Sequence, residues 1–487
     1  MKESALSLIQ FCNMLINKKI YVFLRPCLPM RGALQLILTL LIYNYAKISR
    51  VNMIKSDLLA YLSLSNPWLN NNKNKEDAIF SVKNYIFRAQ YEQLIKPAWD
   101  QYVTLLTGPR QAGKTTLGRY LCKQLIEMQR YPTLLYLNCD EALVREWLTG
   151  SFILKDIEQV LDTLHFILFI DEIQRLENPG LLLKSIYDLK LPIKIIATGS
   201  SQLEIKSKVQ EHLTGRHLES IILPLSYTEL AKQWNIHLNT IYGCYPQVQV
   251  EAEKSLYLKN LFQDYINKDI IEILKIRNAD IMRQLLVLVA HCSGQLINYQ
   301  QLATDCRVSI QTIQHYLNVL ENTYVLMSVK PFVGNKRTEI TSNPIYYFID
   351  NGFRNQALNN FTHLENRTDL GLLIQSAVFQ ELYKFKTQHY LTLDIHYWRT
   401  KSGAEVDFVL YKNQETIIPL EVKYKNLASL TVTRGYRSFL QAYKPKIGIV
   451  ITKDLYGESV VENCRVYFIP FADFPKWEAL LQDLVIT

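Results

Sequence analysis

The chain has 487 residues, of which 48% are hydrophobic and 20% are charged. This composition excludes an intrinsically disordered chain, and the length predicts two to four domains of roughly 100 to 200 residues each. The formal net charge of +9 permits contact with phosphate-rich partners, but over so large a surface it does not demonstrate such contact.

The N-terminal region contains a strongly apolar run at residues 33–45 that follows several basic residues. A membrane span needs about 20 apolar residues, and this shorter run is interrupted by three polar side chains, Gln35, Thr39 and Asn44. A signal peptide would place its apolar region nearer the start of the chain. We therefore expect residues 1–52 to be an N-terminal extension without a membrane anchor. It is a helix packed on the body, a poorly ordered segment, or an untranslated stretch upstream of a start at Met53.

Residues 53–95 are expected to form a linker, which is polar from Asn66 to Asp77, and a helical lead-in that ends near Lys96. From residue 96 to 230, short apolar runs alternate with segments of helix length, which predicts an α/β fold: a parallel sheet with helices on both faces. The predicted strands are residues 102–106, 133–137, 166–170 and 193–197. Three further regions follow: a helical connector over 231–284, a winged helix over 285–343 and a mixed α/β domain over 344–487.

A P-loop sequence follows the first predicted strand and opens a helix. Its residues are Gly108, Pro109, Arg110, Gln111, Ala112, Gly113, Lys114 and Thr115, with Thr116 next. The two glycines let the backbone wrap so that its N–H groups face the phosphates of a nucleotide, and Lys114 neutralises those phosphates. The Thr115 hydroxyl is positioned to bind Mg²⁺. The motif therefore predicts a site for a nucleoside triphosphate and Mg²⁺.

A buried strand that ends in two carboxylates supplies the second half of this site. Asp171 is expected to hold Mg²⁺ through water, and Glu172 is expected to orient or deprotonate the attacking water. The next strand ends in Thr198 and Ser200, and either hydroxyl is a candidate sensor of the γ-phosphate. Arg216 is a candidate for stabilising transition-state charge in its own or a neighbouring subunit, with a structural ion pair as the alternative.

Five strings carry a family resemblance: residues 108–116, residues 169–174, residues 197–201, residues 213–216 with 223–226, and residues 242–246. Together they resemble the prokaryotic AAA-like ATPases, related to the STAND group, that carry an uncharacterised C-terminal domain. The resemblance runs from about residue 86 to residue 475. It implies ATP as the nucleotide, and it implies that Pro246 approaches the bound nucleotide.

Residues 299–321 have the pattern of a helix-turn-helix, with Ser309 as the N-cap of the second helix. That helix has an apolar face at Ile313, Tyr316, Leu317 and Leu320, and a polar face at Gln311, Thr312, Gln314, His315 and Asn318. The polar face could contact DNA bases, but it contains no Arg or Lys. A winged helix that acts as an intramolecular lever is the alternative.

The C-terminal region resembles the PD-(D/E)xK nuclease fold, a restriction-endonuclease-like fold, because Asp407 lies on one predicted strand and Glu421 and Lys423 lie on the next. The two carboxylates could share Mg²⁺, with Lys423 as companion. The resemblance implies a further Glu on the preceding helix, but Gln375 stands there and Glu381 is the nearby acid. This departure favours a nuclease-like scaffold over an active nuclease.

The eight cysteines include no C-x-x-C pair and no histidine cluster at ligand spacing, so we expect neither a zinc site nor a disulfide framework. Such thiols are typical of a reducing cytoplasm. We expect a cytoplasmic, slow MgATP hydrolase that acts as a nucleotide-driven switch. The alternatives are an ATP-gated DNA-binding regulator and an ATP-dependent nuclease. The partners to consider are DNA, another protein or further copies of the chain.

Overall fold

The computed structural model describes residues 60–69, 79–82, 84–150, 157, 161–200, 212–272, 278–332 and 343–485. The chain divides into two compact units, residues 1–64 and 65–487. Of the first unit, residues 60–64 are described and helical, and the extension expected at 1–52 lies outside the described residues. None of the described helices has both the length and the apolar character needed to cross a membrane.

The first sheet of the second unit has five strands, all parallel, in the order β2-β3-β4-β1-β5. The strands are β1 (Val103–Thr107), β2 (Leu134–Asn138), β3 (Phe166–Asp171), β4 (Ile193–Gly199) and β5 (His217–Ile221). Every residue of β1 and β3 is buried, which indicates that both faces of the sheet are covered. The four predicted strands are confirmed. The sequence does not assign β5 to the sheet, because this edge strand is mostly half-buried and mixes polar with apolar residues.

The described helices of this part of the chain include α1 (Tyr91–Leu94), α2 (Lys114–Glu127), α3 (Ala142–Gly150) and α4 (Pro179–Asp188). The apolar side of α2 packs over the sheet, where Leu117 and Leu121 meet Phe169. Trp68 and Phe80 belong to the same core.

The lead-in to this domain differs from the prediction. Residues 84–90 form neither helix nor strand, and the α-helix that follows them is the single turn of α1. Apolar residues of the lead-in, among them Phe80 and Leu94, pack into the core of this domain.

A helical region without strands follows β5 as far as residue 272. It consists of α5 (Tyr227–Leu230), α6 (Ile236–Tyr242), α7 (Pro246–Val250) and α8 (Lys254–Asp264), which continues into the π-helical segment Tyr265–Glu272. Next come α9 (Ala279–His291), α10 (Tyr299–Cys306) and α11 (Ile310–Asn322). Helices α7 to α11 share one apolar core, which contains Leu261, Leu285 and Leu317.

The helix-turn-helix expected at residues 299–321 is present as α10 and α11. The Ser309 hydroxyl accepts a hydrogen bond from the backbone N–H of Thr312 (3.1 Å), so Ser309 caps α11 as predicted. The predicted apolar face of α11 is buried, whereas its polar face is exposed apart from the half-buried Thr312. A β-bridge joins Leu296 to Ile345. The assignment of this region as a winged helix stays a prediction.

The second sheet has eight strands in the order β12-β13-β11-β10-β9-β8-β6-β7. The strands are β6 (Leu326–Pro331), β7 (Ile345–Phe348), β8 (Asp394–Arg399), β9 (Glu405–Asn413), β10 (Thr416–Lys423), β11 (Ile447–Thr452), β12 (Gly457–Val461) and β13 (Cys464–Pro470). The accompanying helices are α12 (Asn351–Ala357), α13 (Leu370–Gln388), α14 (Arg434–Tyr443) and α15 (Phe474–Val485).

Two expected boundaries differ in the structure. Helix α9 begins at Ala279, before residue 285. The antiparallel hairpin β6–β7 crosses the boundary expected at 343/344, because β6 pairs in parallel with β8 and so extends the C-terminal sheet. The helix-turn-helix is therefore continuous with the C-terminal sheet through this hairpin.

A buried ion pair on α13 joins the C-terminal part to the segment that follows β5. Lys384 Nζ lies 2.7 Å from Glu381 Oε1 and donates to the carbonyl oxygen of Leu225 (2.9 Å). Glu381 Oε2 accepts from the backbone N–H of Tyr227 (2.9 Å). Burial raises the pKa of Glu381 to about 7. Both members of the pair thus hold the same short segment of backbone.

Candidate nucleotide-binding and C-terminal sites

Two glycines shape the loop between β1 and α2. At Gly108 φ is +135°, and a Cβ would lie 2.1 Å from the carbonyl oxygen of Ile222, so only glycine fits. At Gly113 φ is +94°, and α2 begins at the next residue. The loop therefore turns sharply at the carboxyl end of a parallel strand, which is where this fold class binds ligands.

Lys114 is buried within this loop, with a relative exposure of 4%. Its Nζ donates to the carbonyl oxygens of Gly108 (3.0 Å) and Pro109 (2.8 Å). The ammonium group therefore lies inside the curve of the loop, where P-loops place phosphates.

The structure brings together Thr115 and Asp171, which are 56 positions apart. The Thr115 hydroxyl lies 3.0 Å from both carboxylate oxygens of Asp171. Tyr136 on β2 and Thr198 on β4 donate to the same carboxylate, Tyr136 at 2.7 Å. A hydroxyl and a carboxylate side by side are oxygen ligands of the kind that Mg²⁺ takes beside a triphosphate. These residues therefore fit the implied metal.

Glu172 follows β3 in a left-handed conformation (φ +53°), and its backbone N–H donates to Thr198 Oγ1 (3.1 Å). The Gln174 amide nitrogen contacts both Glu172 Oε2 (2.5 Å) and the hydroxyl of Ser200 (2.9 Å). The two sensor candidates therefore occupy different positions: Thr198 contacts Asp171, and Ser200 reaches Glu172 through Gln174.

An open cavity of about 610 Å³ lies over the loop. Its lining residues are Arg110, Gln111, Gly113, Lys114, Thr115, Thr116, Asp140, Glu172, Pro246, Gln247 and Tyr257. Pro246 lies beside Gly113, since a Cβ at Gly113 would be 3.8 Å from Pro246 Cγ. The Tyr257 hydroxyl on α8 donates to the side-chain oxygen of Gln111 across the cavity. The helical region thus forms one wall of the cavity.

Arg216 lies away from this cavity. It precedes β5, at the sheet edge opposite the loop, because β5 pairs with β1 in parallel from Val103 and His217 onward. Its Nε lies 2.9 Å from Asp188 Oδ1, a partly exposed ion pair. Within one chain the structure does not bring Arg216 to the P-loop, so any catalytic role would require a second copy.

The C-terminal residues predicted to form a second site lie on the adjacent strands β9 and β10. Asp407 Oδ2 accepts from the backbone N–H of Val422 (2.7 Å). Glu421 Oε1 lies 2.7 Å from Lys423 Nζ and also accepts from the Thr433 hydroxyl (3.0 Å). Burial raises the pKa of Asp407 to about 7, and the charges of Glu421 and Glu405 act in the same direction.

Gln375 occupies the place that the sequence indicates. Its amide nitrogen donates to Asp407 Oδ1 (3.2 Å) and to the hydroxyl of Tyr347 (3.1 Å). Glu381 does not replace the missing acid, because it pairs with Lys384 and Tyr227 instead. Two carboxylates remain, and no group of three or more His, Cys, Asp or Glu side chains with metal-binding geometry occurs among the described residues.

Three family matches cover most of the second unit. Residues 100–231 match the AAA domain, residues 233–364 match a domain of unknown function (DUF8612), and residues 370–474 match a second one (DUF4143). The first match spans the whole parallel sheet with its P-loop and carboxylate strand.

Residues 100–231 form an AAA-like P-loop ATPase domain.

Two relatives align with most of this chain at low sequence identity. An uncharacterized protein of Haemophilus influenzae is 24% identical over 423 residues, which cover 80% of this chain and 98% of the relative. An uncharacterized protein of Mycobacterium tuberculosis is 24% identical and covers 69% of this chain and 73% of its own length. One similar solved structure is the replication initiator DnaA bound to AMPPCP and single-stranded DNA, at 14% identity and a TM-score of 0.26, covering 49% of this chain and 90% of the other.

Several residues around the ATPase site are not predicted from the sequence. Tyr136 could have been found, because neighbouring parallel strands end at the same edge and β2 precedes β3. No sequence pattern around Tyr257 or Gln174 indicates a role at the site, because the contact that each makes there forms only in the folded chain. Arg88 is a single basic residue in an aromatic stretch, and its burial is visible only in the structure.

Proposed function

We propose that this protein binds MgATP at the P-loop, hydrolyses it slowly and acts as a nucleotide-driven switch. The observation that carries the proposal is the 3.0 Å contact between the Thr115 hydroxyl and the Asp171 carboxylate. This contact provides two adjacent oxygen ligands for Mg²⁺ beside a loop whose Lys114 is turned inward. When bound, Mg²⁺ would neutralise the charge that develops on the transferred phosphoryl group.

Glu172 is the group that we assign to the attacking water. It lines the same cavity as Lys114 and Thr115, so its carboxylate can accept a proton from water placed beside a γ-phosphate. The contact from Gln174 occupies one of its oxygens. This hydrogen bond stabilises the charged carboxylate and lowers its basicity, so we expect it to slow proton transfer from water.

Contacts between the P-loop and the parts of the chain after the ATPase domain support the proposed switch. Pro246 and Tyr257 lie against the loop from the helical region. Tyr324, just after α11, bonds to Thr107 at the start of the loop (3.1 Å). A phosphate that moves the loop would therefore change contacts to the helical region and to α11, and this differential contact is what a switch requires.

Isothermal titration of the full chain with MgATP tests the binding half of the proposal. We expect Lys114→Ala to weaken binding by at least about 100-fold, because the charge that faces the phosphates is lost. Lys123→Ala is the matched control, since Lys123 lies on the same helix but pairs with Glu127. Equal affinities of the wild type and Lys114→Ala would contradict the proposal. Competition with GTP tests the choice of adenine, which P-loop contacts to phosphate do not determine.

A nuclease-like metal site at Asp407, Glu421 and Lys423 is the second candidate, favoured by their placement on adjacent strands. Mg²⁺ held by the two carboxylates would activate water, and Lys423 would stabilise the developing charge. Cleavage of supercoiled DNA with Mg²⁺ should be lost in Asp407→Ala and Lys423→Ala and kept in Lys425→Ala, which changes an exposed lysine. Absence of cleavage by the wild type with Mg²⁺ or Mn²⁺ would reject this activity.

A further inference from the structure

Arg88 is a buried cation next to the ATPase site, and only 3% of its surface is exposed. Its Nη1 donates to the carbonyl oxygen of Ala112 (3.1 Å), and its Nη2 donates to that of Leu223 (2.5 Å). Its Nε lies 3.1 Å from Glu229 Oε1, whose side chain is equally buried. One guanidinium therefore contacts the P-loop and the segment after β5 at once.

The contact with Ala112 fixes the direction of one peptide in the loop. In a trans peptide the C=O of one residue and the N–H of the next point to opposite sides, and the described residues contain no cis peptide. Because the carbonyl of Ala112 points toward Arg88, the N–H of Gly113 points away from Arg88. Gly113 lines the cavity, so its N–H faces the space where phosphate would lie.

The other end of this arrangement is rigidly held. Glu229 Oε1 accepts from the backbone N–H of Ala89 (2.9 Å), and Oε2 accepts from that of Ser226 (2.8 Å). The Leu225 N–H donates to the carbonyl of Cys244 (2.9 Å), two residues before Pro246. Arg88 therefore connects the loop to the backbone of residues 223–226, which is itself hydrogen-bonded to Glu229 and Cys244.

We propose that Arg88 is a positioning residue for the nucleotide: it holds the Ala112–Gly113 peptide with its N–H directed at the phosphates. Arg88 does not touch the ligand, and its guanidinium lies on the far side of that peptide from the cavity. This role deepens the proposed MgATP site and rests on it. Arg88 should affect the binding of ATP and of ADP equally. The backbone N–H groups of a P-loop donate to phosphates that both nucleotides have.

The test must separate positioning from loss of the fold. Removing Arg88 alone leaves Glu229 as an unpaired buried charge, which destabilises the protein. The double variant Arg88→Met with Glu229→Gln removes both charges together, and Glu229→Gln alone is its reference. Arg88→Lys is a second variant. It keeps a positive charge beside Glu229, but an ammonium group lacks the planar set of N–H donors with which the guanidinium bonds the carbonyls of Ala112 and Leu223.

Two measurements apply to the full-length variants. In calorimetric titration we expect the double variant to bind MgATP and MgADP at least about tenfold more weakly than Glu229→Gln, about 1.4 kcal/mol at 25 °C, with Arg88→Lys in between. In hydrogen exchange without nucleotide, a peptide covering Ala112 to Leu117 should exchange faster in the double variant. In the intact loop the Leu117 N–H is bonded to the carbonyl of Gly113 (2.9 Å).

The outcomes separate this proposal from the function on which it rests. If the wild type does not bind MgATP, the proposed function fails, but exchange in the nucleotide-free protein still tests whether Arg88 holds the loop. Unchanged exchange at residues 112–117, or equal affinities of the double variant and Glu229→Gln, would overturn the role of Arg88. A thermal unfolding midpoint measured for each variant shows that these comparisons concern folded protein.

Discussion

The hydroxyl of Tyr324 donates a hydrogen bond to Oγ1 of Thr107 (3.1 Å), although the two residues are 217 positions apart. Both side chains are buried, and Thr107 in turn donates to Glu219 Oε1 on β5 (2.7 Å). Thr107 is the last residue of β1, next to Gly108, and Tyr324 follows α11 closely. The start of the P-loop and the end of the helix-turn-helix therefore share one hydrogen-bonded chain.

The first prediction concerns this contact. We expect Tyr324→Phe to lower the free energy of unfolding by about 1 kcal/mol, the usual net value of a buried hydrogen bond. We also expect it to abolish any change in hydrogen exchange that MgATP causes in α11, because the direct link to the loop is lost. Tyr316→Phe, which changes a tyrosine within α11 itself, is the control. Protection of α11 by MgATP that persists in Tyr324→Phe would show that the signal takes another route.

The second prediction concerns Gln174, which bonds to Glu172 and Ser200. Gln174→Ala frees the carboxylate of Glu172, and we expect about half of the roughly 1.5–3 kcal/mol that a hydrogen bond to a charged group contributes to appear in the activation free energy. We expect kcat for MgATP hydrolysis to rise by roughly 3-fold to 10-fold with little change in affinity. Steady-state phosphate release measures this, with the exposed Gln101→Ala as control. A fall in kcat would instead mean that Gln174 orients Glu172 productively.

The third prediction concerns Arg216, which pairs with Asp188 at the far edge of the sheet. In dilute solution Arg216→Ala should leave kcat within about twofold of the wild type, because the guanidinium is remote from the P-loop of its own chain. Exposed ion pairs contribute about 0–1 kcal/mol to stability, so the fold should also be kept. A fall of tenfold or more in dilute protein would contradict this placement.

The fourth prediction concerns pH and Lys194, a buried lysine on β4 whose Nζ donates to the carbonyl of Tyr102 (3.0 Å) and the hydroxyl of Thr104 (2.7 Å). Burial lowers its pKa from 10.5 to about 7. Between these values the unfolded chain binds a proton that the folded chain does not, so stability rises with pH. Denaturant unfolding measures the free energy of unfolding of the wild type and of Lys194→Met. As the pH rises through this window, the free energy of the wild type should increase relative to that of the variant by up to about 1.4 kcal/mol per pH unit. A pH-independent difference would contradict the lowered pKa.

Local sequence patterns predict the parallel sheet and the P-loop well, because each depends on neighbouring residues. Apolar runs give the four strands β1 to β4, and glycine spacing gives the loop. The cap at Ser309 is local too, and it forms as expected. The pairing of Thr115 with Asp171 is predictable because all strands of a parallel sheet have their carboxyl ends at the same edge, although β4 lies between β1 and β3.

The remaining features depend on contacts between distant segments. No local pattern shows that β6 joins β8, or that Tyr324 reaches Thr107. The composition of the lead-in to the ATPase domain predicts a helix. In the structure, Arg88 bonds to the P-loop and its aromatic neighbours pack against the core, and these contacts replace the hydrogen bonds of a helix. Arg216 is adjacent to an apolar run in sequence, yet the direction of β5 places it at the opposite edge.

Phosphate release from MgATP by the purified chain, compared with Glu172→Gln, tests the central proposal most directly. Glu177→Gln is the matched control, because it changes an exposed glutamate in the same stretch. We expect the wild type and Glu177→Gln to release phosphate at the same rate. Glu172→Gln should bind MgATP normally but turn over at least about 100-fold more slowly. Release by Glu172→Gln at the wild-type rate, or no release by a wild type that binds MgATP, would contradict hydrolysis at this site.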